Sequence, residues 1–363
     1  MKKSLNVKKL SEWGIPFQKK FFIAGPCSAE SEEQVIATAQ ELSRHTVSVF
    51  RAGIWKPRTR PGTFEGVGAE GLKWLKQAGK ITGLPVATEV ANARQLEQCL
   101  KKGIDMIWIG ARTSTNPFAV QDIADALKGA DIPVLIKNPM NADVELWLGA
   151  IERINKAGIT RIMALHRGFA TYRQDRYRNQ PIWRVPIELR RRFPKLPIIC
   201  DPSHICGNRK YISEIAQEAL DFLFDGLMIE VHRNPDKALS DAKQQLTPRQ
   251  YGNLIKNLKI KDISLEENDF NEKLSLLRND IDTIDNNIIA LLGKRMDDVK
   301  QIGELKQQNK VSLLQPARWD QIVKSRIDQA KEHSLNPDFV RDIYEHIHEE
   351  ALTIQEEMGK AME

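Results

Sequence analysis

Two hydrophobic patterns divide the chain. Up to about residue 258, short apolar runs alternate with stretches in which apolar positions return every three to four residues. The runs lie at 21–24, 47–53, 84–90, 105–110, 133–138, 161–165, 197–200 and 226–231, and helical stretches such as 31–45 fit between most of them. Near-continuous apolar strands separated by helices predict a parallel sheet covered on its outside. Eight such units within about 250 residues predict a (β/α)8 barrel, the TIM-barrel architecture. A doubly wound open sheet is the alternative, but no Gly-x-Gly-x-x-Gly turn follows the first run.

The second pattern begins after residues 259–270, which are charged, lack a period and predict a linker. From 271 to 358 the pattern is purely helical, with Leu274, Leu277, Ile281, Ile284, Ile288, Leu291 and Ile302 in one stripe. Pro316 opens a second helix and Asn336-Pro337 a third. The domains expected are therefore an α/β barrel over 1–258, a linker over 259–270 and a separate all-α three-helix domain over 271–363. A first helix of about 39 residues would be close to 60 Å long, too long for a lone three-helix unit. An intertwined homodimer follows, with higher oligomers left open.

Composition narrows the partners. The chain has 363 residues, 41% hydrophobic and 28% charged, and no apolar run approaches a membrane span. Its basic N-terminus lacks the apolar core of a signal peptide, so a cytoplasmic protein without a membrane partner is expected. Four cysteines show no disulfide framework, which fits a reducing compartment. A net charge of +6 raises the question of nucleic acid. No segment pairs a basic stripe with stacking aromatics, so small anionic substrates explain the arginines better.

Chemistry in such a barrel sits at the C-terminal strand ends. In turn these offer Cys27; Arg51 with the stiff Lys56-Pro57-Arg58-Thr59 turn; Arg112; Lys137; His166-Arg167; Asp201 with His204; and Glu230, followed by Ser240-Asp241. A carboxylate such as Glu230 amid apolar neighbours is costly to bury unpaired. Together, Cys, His, Glu and Asp offer a mixed N/O/S set for a divalent transition metal. A small buried thiol and a structural histidine are the plainer alternative.

The Gly-Pro-Cys-Ser turn, Lys-Pro-Arg-Thr, Ile-Gly-Ala-Arg, the lysine of the fifth run, Arg-Gly, Asp-Pro-Ser-His and Glu-Val-His with Ser-Asp occur in order. This stretch, about 15–258, resembles the short metal-dependent 3-deoxy-D-arabino-heptulosonate 7-phosphate (DAHP) synthases. The resemblance implies condensation of phosphoenolpyruvate with erythrose 4-phosphate. It implies Cys27, His204, Glu230 and Asp241 as metal ligands, for Mn2+ first and Fe2+, Co2+ or Zn2+ as alternatives. By the same resemblance Arg112 and Arg167 would hold the phosphate of phosphoenolpyruvate, and Arg51 and Lys137 its carboxylate. Lys56, Arg58 and Thr59 would serve the aldose phosphate, with Lys56 near the reacting carbons. Asn138-Pro139 and His166 depart from the family pattern and would bear on the water-activating step or the sugar pocket. The related 3-deoxy-octulosonate 8-phosphate synthases are the rival, and Pro57-Arg58-Thr59 speaks for the four-carbon sugar.

The helical region carries Leu277-Arg278, Lys294-Arg295, Gly303-Glu304-Leu305-Lys306, Arg318 and Gln355. Over about 270–358 it resembles the all-helical chorismate mutases, which rearrange chorismate to prephenate. The resemblance implies Lys306 and Gln355 at the ether oxygen, Arg295 and a partner's Arg278 at the carboxylates, and Arg318 lining the site. Trp319 stands where a glutamate is common, and Ala351 where a serine is common. The expectation is a bifunctional enzyme of the shikimate pathway, its synthase inhibited by a ligand of the mutase domain. A helical domain that only senses ligand and dimerises is the alternative.

Overall fold

The computed structural model describes residues 5–56, 62–171, 176–260, 268–309, 311–312 and 316–361. The chain falls into two compact units, Met1–Lys261 and Asp262–Glu363. In the first, eight parallel strands close into a barrel in sequential order, β8 pairing with β1. The strands are β1 Phe21–Gly25, β2 Val49–Arg51, β3 Val86–Val90, β4 Met106–Ile109, β5 Val134–Lys137, β6 Ile162–His166, β7 Ile198–Cys200 and β8 Gly226–Glu230. The covering helices are α1 Glu32–Leu42, α2 Glu70–Thr82, α3 Ala93–Lys102, α4 Ala111–Ser114, α5 Pro117–Ala126, α6 Val144–Lys156 and α7 Arg184–Arg192. They continue as α8 Pro202–Cys206, α9 Ile212–Asp221 and α10 Pro248–Asn257. The open-sheet alternative is excluded by the closure. The second run is only partly strand, three residues of the seven expected.

Period-two alternation decides what faces inward. Phe21, Ile23, Val49, Ala87, Met106, Trp108, Leu135, Met163, Leu165, Ile199 and Met228 pack together as the barrel interior, with Trp13 joining them. Their strand neighbours, among them Phe22, Phe50, Ile107, Ile136, Ala164, Cys200 and Ile229, pack under the helices. Continuing the inward parity by one step brings Arg51, Glu89, Lys137, Arg167, Asp201 and Glu230 to the mouth. Gly25 belongs to the same layer, and only glycine serves there. Its φ is +151°, and a Cβ would lie 2.0 Å from the Arg51 carbonyl oxygen.

The second unit consists of α11 Asn268–Gln308, α12 Pro316–Glu332 and α13 Pro337–Ala361. Its first helix thus begins three residues earlier than the pattern suggested. Asn336 caps the third by accepting from the Asp338 and Phe339 backbone N–H groups. Gly303 lets α11 approach α13, since a Cβ there would lie 3.1 Å from Gln355 Cγ. No described helix is long and apolar enough to cross a membrane.

Candidate active sites

At the barrel mouth Cys27, Glu230 and Asp241 bring one ligand atom each within 4.8 Å of one another. The β1 and β8 ends and the loop after β8 are tied into this arrangement by one side chain. Gln245 accepts from the Cys27 backbone N–H at 2.9 Å and donates to the Ser240 carbonyl at 2.9 Å. Asp241 holds a left-handed backbone (φ 48°), strained for a non-glycine residue. Its Oδ2 accepts from Cys27 Sγ at 3.3 Å, and its Oδ1 pairs with Arg178 at 3.0 Å.

His204 stands at the edge of this group rather than within it. Its Nε2 lies 3.8 Å from Glu230 Oε1, and its Nδ1 lies 2.8 Å from Asp201 Oδ2. Glu230 is fully buried between Arg51, at 2.9 Å from Oε1, and Gln244, which donates to Oε2 at 2.7 Å. Burial raises its pKa, but His204 and Arg51 outweigh burial and hold it below the ordinary range. Lys56 donates to Cys27 Sγ at 3.0 Å, so an ammonium already rests against the donor cluster. Burial, with Glu230, pushes the Cys27 thiol up to about 12. A thiol, two carboxylates and a neighbouring imidazole, packed where one cation is already drawn in, fit a divalent transition ion.

Beside this group lies a cluster of cations. Lys137 is buried against Asp201 at 2.9 Å. Burial disfavours the Asp201 carboxylate, yet His204 and Lys137 hold its pKa well below the usual range. Arg167 is almost fully buried, and its guanidinium donates to the neutral Asn179 Oδ1 at 2.8 Å. Burial, opposed by Asp201 and reinforced by Arg178 and Arg112, lowers it to about 10. Three guanidiniums close enough to repel one another are what a phosphate would relieve. Arg51 stacks on Trp108, with Cζ 4.6 Å from the ring centroid, and its buried Nε has no hydrogen-bond partner among the described residues. Arg58 and Thr59 lie outside the described residues.

The two departures noted in the sequence prove structural. Asn138 donates to the carbonyls of Pro139 and Gly168 and accepts from the Arg167 N–H, which fixes Arg167 in place. His166 has the outward parity, contrary to the expectation that it bears on the water-activating step or the sugar pocket. Its ring packs among Trp147, Phe169, Trp183 and Phe224, with centroids 5.3 to 6.4 Å away. Residues that sequence reading passed over are Arg178, Asn179, Gln244 and Gln245, which hold the chemical groups in place. Gln244 and Gln245 directly follow the Ser240-Asp241 loop, but only the folded backbone shows which way they turn.

In the helical unit Lys306 lies 3.5 Å from Gln355 Oε1, joining α11 to α13. Gln355 and Ala351 are buried, and Arg295 is half-buried about three turns before Lys306. Arg278 is exposed, and 28 residues of helix put it about 42 Å along the axis from Lys306. The two cannot meet within one chain. Arg318 is exposed on α12 beside Trp319, whose ring stacks on His348 with centroids 4.1 Å apart and planes at 10°.

Comparison with known proteins now separates the two units. A family described as DAHP synthetase I matches residues 17–266, and chorismate mutase type II matches 277–356. The chain is 36% identical over 237 residues to a phospho-2-dehydro-3-deoxyheptonate aldolase of Thermotoga maritima, covering 65% of this chain and 68% of that one. A 2-dehydro-3-deoxyphosphooctonate aldolase of Dichelobacter nodosus is 24% identical over 286 residues, covering 74% of this chain and all of that one. The crystal structure of the Thermotoga maritima DAHP synthase superposes with a TM-score of 0.62 at 32% identity, over 69% of this chain and 72% of that one.

Proposed function

Because the chain belongs to the DAHP synthetase I family and carries a chorismate mutase type II domain, we propose that its barrel condenses phosphoenolpyruvate with erythrose 4-phosphate. The products are DAHP and phosphate. The helical unit rearranges chorismate to prephenate, so that one chain serves two steps of aromatic biosynthesis. The observation that carries the barrel assignment is the mouth itself, where a donor cluster adjoins the buried cations Arg51, Lys137 and Arg167. Identity of 36% to the heptonate enzyme against 24% to the octonate enzyme supports the four-carbon sugar.

Cys27, Glu230 and Asp241, with His204 turning in from beside Glu230, would hold a divalent ion, Mn2+ in the first instance. Such an ion supplies Lewis-acid polarisation of the aldehyde oxygen when bound. Arg167, Arg112 and Arg178 hold the phosphate of phosphoenolpyruvate, while Arg51 and Lys137 face its carboxylate. Fixed in this way, two anions that repel in solution are placed with their reacting carbons together. The enol carbon bonds to the aldehyde carbon, and Lys56 offers its ammonium hydrogen to the oxygen that becomes negative. Water adds at the enol-phosphate carbon and phosphate leaves. Arg58 and Thr59 complete the aldose-phosphate end.

In the helical unit Lys306 and Gln355 converge where charge develops on the ether oxygen, and Arg295 takes a carboxylate. Arg278 belongs to the same site only if a second copy supplies it, which makes the mutase a homodimer. The decisive experiment assays both reactions on one protein preparation. Lys306→Ala should cost the mutase about 3 kcal/mol or more of transition-state stabilisation and leave phosphate release from phosphoenolpyruvate nearly unchanged. Equal loss in both reactions would contradict two separate sites.

A further inference from the structure

Between α12 and α13 a histidine stands in a position that the mechanism above does not use. His348 precedes Gln355 by seven residues, nearly two full turns, so both lie on one face of α13, with Ala351 between them. Trp319 covers its ring face to face, 4.1 Å between centroids and 10° from parallel. Stacking over that area removes the freedom of the ring to turn about χ2. The Nε2 atom is shielded from solvent and has no hydrogen-bond partner among the described residues. A buried nitrogen left in that state costs free energy unless a ligand supplies the missing bond.

The electrostatics place His348 by the same groups as the proposed reaction. Burial lowers its pKa first, and the Arg295 and Lys306 cations lower it further, with Glu349 opposing them. The imidazole is therefore neutral at pH 7 and able to exchange a hydrogen bond with an uncharged oxygen. The residues around it give that oxygen its chemistry. Arg295 and Lys306 are suited to carboxylates and to a developing negative charge, whereas Trp319 and Ala351 offer no side-chain oxygen. Gln355, the other neutral polar group on this face, already accepts from Lys306 at 3.5 Å, which leaves the His348 imidazole to meet a substrate hydroxyl.

We propose that His348 is a substrate-binding residue of the mutase site, contacting the ring hydroxyl of the bound cyclohexadiene dicarboxylate through Nε2, with Trp319 holding the imidazole in place. This rests on the mutase reading given above. It assigns Trp319 a positioning role, and it explains how a site whose α12 and α13 positions carry an indole and a methyl group can still recognise a hydroxyl.

The test uses the full-length chain and two bicyclic diacid analogues of the rearrangement's transition state, one with the hydroxyl and one without it. Wild-type protein should prefer the hydroxylated analogue. In His348→Ala that preference should fall about fivefold or more, with the deoxy analogue bound nearly as before. His348→Gln, which keeps a neutral hydrogen-bonding amide, should restore part of the preference. Trp319→Leu should weaken the preference without abolishing binding of the deoxy analogue. Equal weakening of both analogues in His348→Ala would show a purely structural histidine and overturn the proposal, as would an unchanged preference. If wild-type protein bound neither analogue and formed no prephenate, the mutase reading itself would fall, a distinct result. Circular dichroism of each variant separates loss of contact from loss of helix.

Discussion

Burial of His166 among four aromatic rings pushes its imidazole down to about 3, with the Pro181 backbone opposing that fall. In the unfolded chain the same group titrates near about 6.5. The unfolded state then binds the extra proton between these values and the folded state does not. Stability from this group is full above about pH 6.5 and is lost as pH falls toward about 3, by up to roughly 4 kcal/mol. His166→Phe should therefore flatten the acid limb of a urea-unfolding series between pH 6 and 4, and synthase turnover at pH 7 should change by less than about twofold. Parallel limbs in the two proteins would contradict the neutral, outward-facing assignment. Cys27 faces the opposite way in both senses. If Cys27 is a metal ligand as proposed, Cys27→Ala should lower bound Mn2+ and synthase rate by about 100-fold or more, as losing a ligand exceeds losing a supporting hydrogen bond. Retention of full activity under chelator would remove Cys27 from the site.

At the scale of elements, the eight apolar runs were legible because parallel strands buried on both faces are apolar throughout. That same uniformity hid which residues face the mouth, since a run without alternation carries no parity. Trp108 and Leu135 point inward while Ile107 and Ile136 point outward, and nothing in their hydrophobicity separates them. His166 was misread for this reason, and Asn138, Arg178 and Gln244 became meaningful only through the turns that aim them. The long first helix was legible from its stripe, and the structure sharpens what the stripe means. Leu277, Ile281, Ile284, Ile288 and Leu291 are 49–67% exposed in the single chain. Apolar positions so regular and so exposed are what a second copy of the helix would cover, and the proposed sharing of Arg278 would need the same partner. Ile284→Glu with Ile288→Glu should convert a dimer to a monomer in sedimentation and abolish prephenate formation together. A monomer that kept mutase activity would show that Arg278 is not shared between chains.

For the molecule as a whole, the two chemistries stand far apart in the pathway they serve, one opening it and the other acting at a later branch. Their union in one chain suggests that ligand at the helical unit governs the barrel. A dianion held by Arg295 and Lys306 of one chain and Arg278 of its partner would bridge two copies and tighten the helical dimer. In sequence only ten residues separate Asn257 of α10 from Asn268 of α11, so tightening of the helical unit would bear on the barrel joined to it. A coupling of this kind is worth about 1–3 kcal/mol, enough for a 5- to 150-fold change in affinity. Prephenate, or chorismate, should therefore inhibit phosphate release from phosphoenolpyruvate and erythrose 4-phosphate in the full-length protein. Arg295→Ala should weaken that inhibition without changing the uninhibited rate, because the residue lies outside the barrel. A chain ending at residue 260, past the end of α10, should keep its turnover and lose the inhibition entirely. Linkage adds a second measurement, since an effector that weakens substrate binding must itself bind less tightly when that substrate is present. Titrating prephenate calorimetrically with and without phosphoenolpyruvate reads this reciprocal term directly. If prephenate binds equally in both titrations and leaves the full-length synthase rate untouched, the fusion serves dimerisation or proximity, and the regulatory reading is wrong.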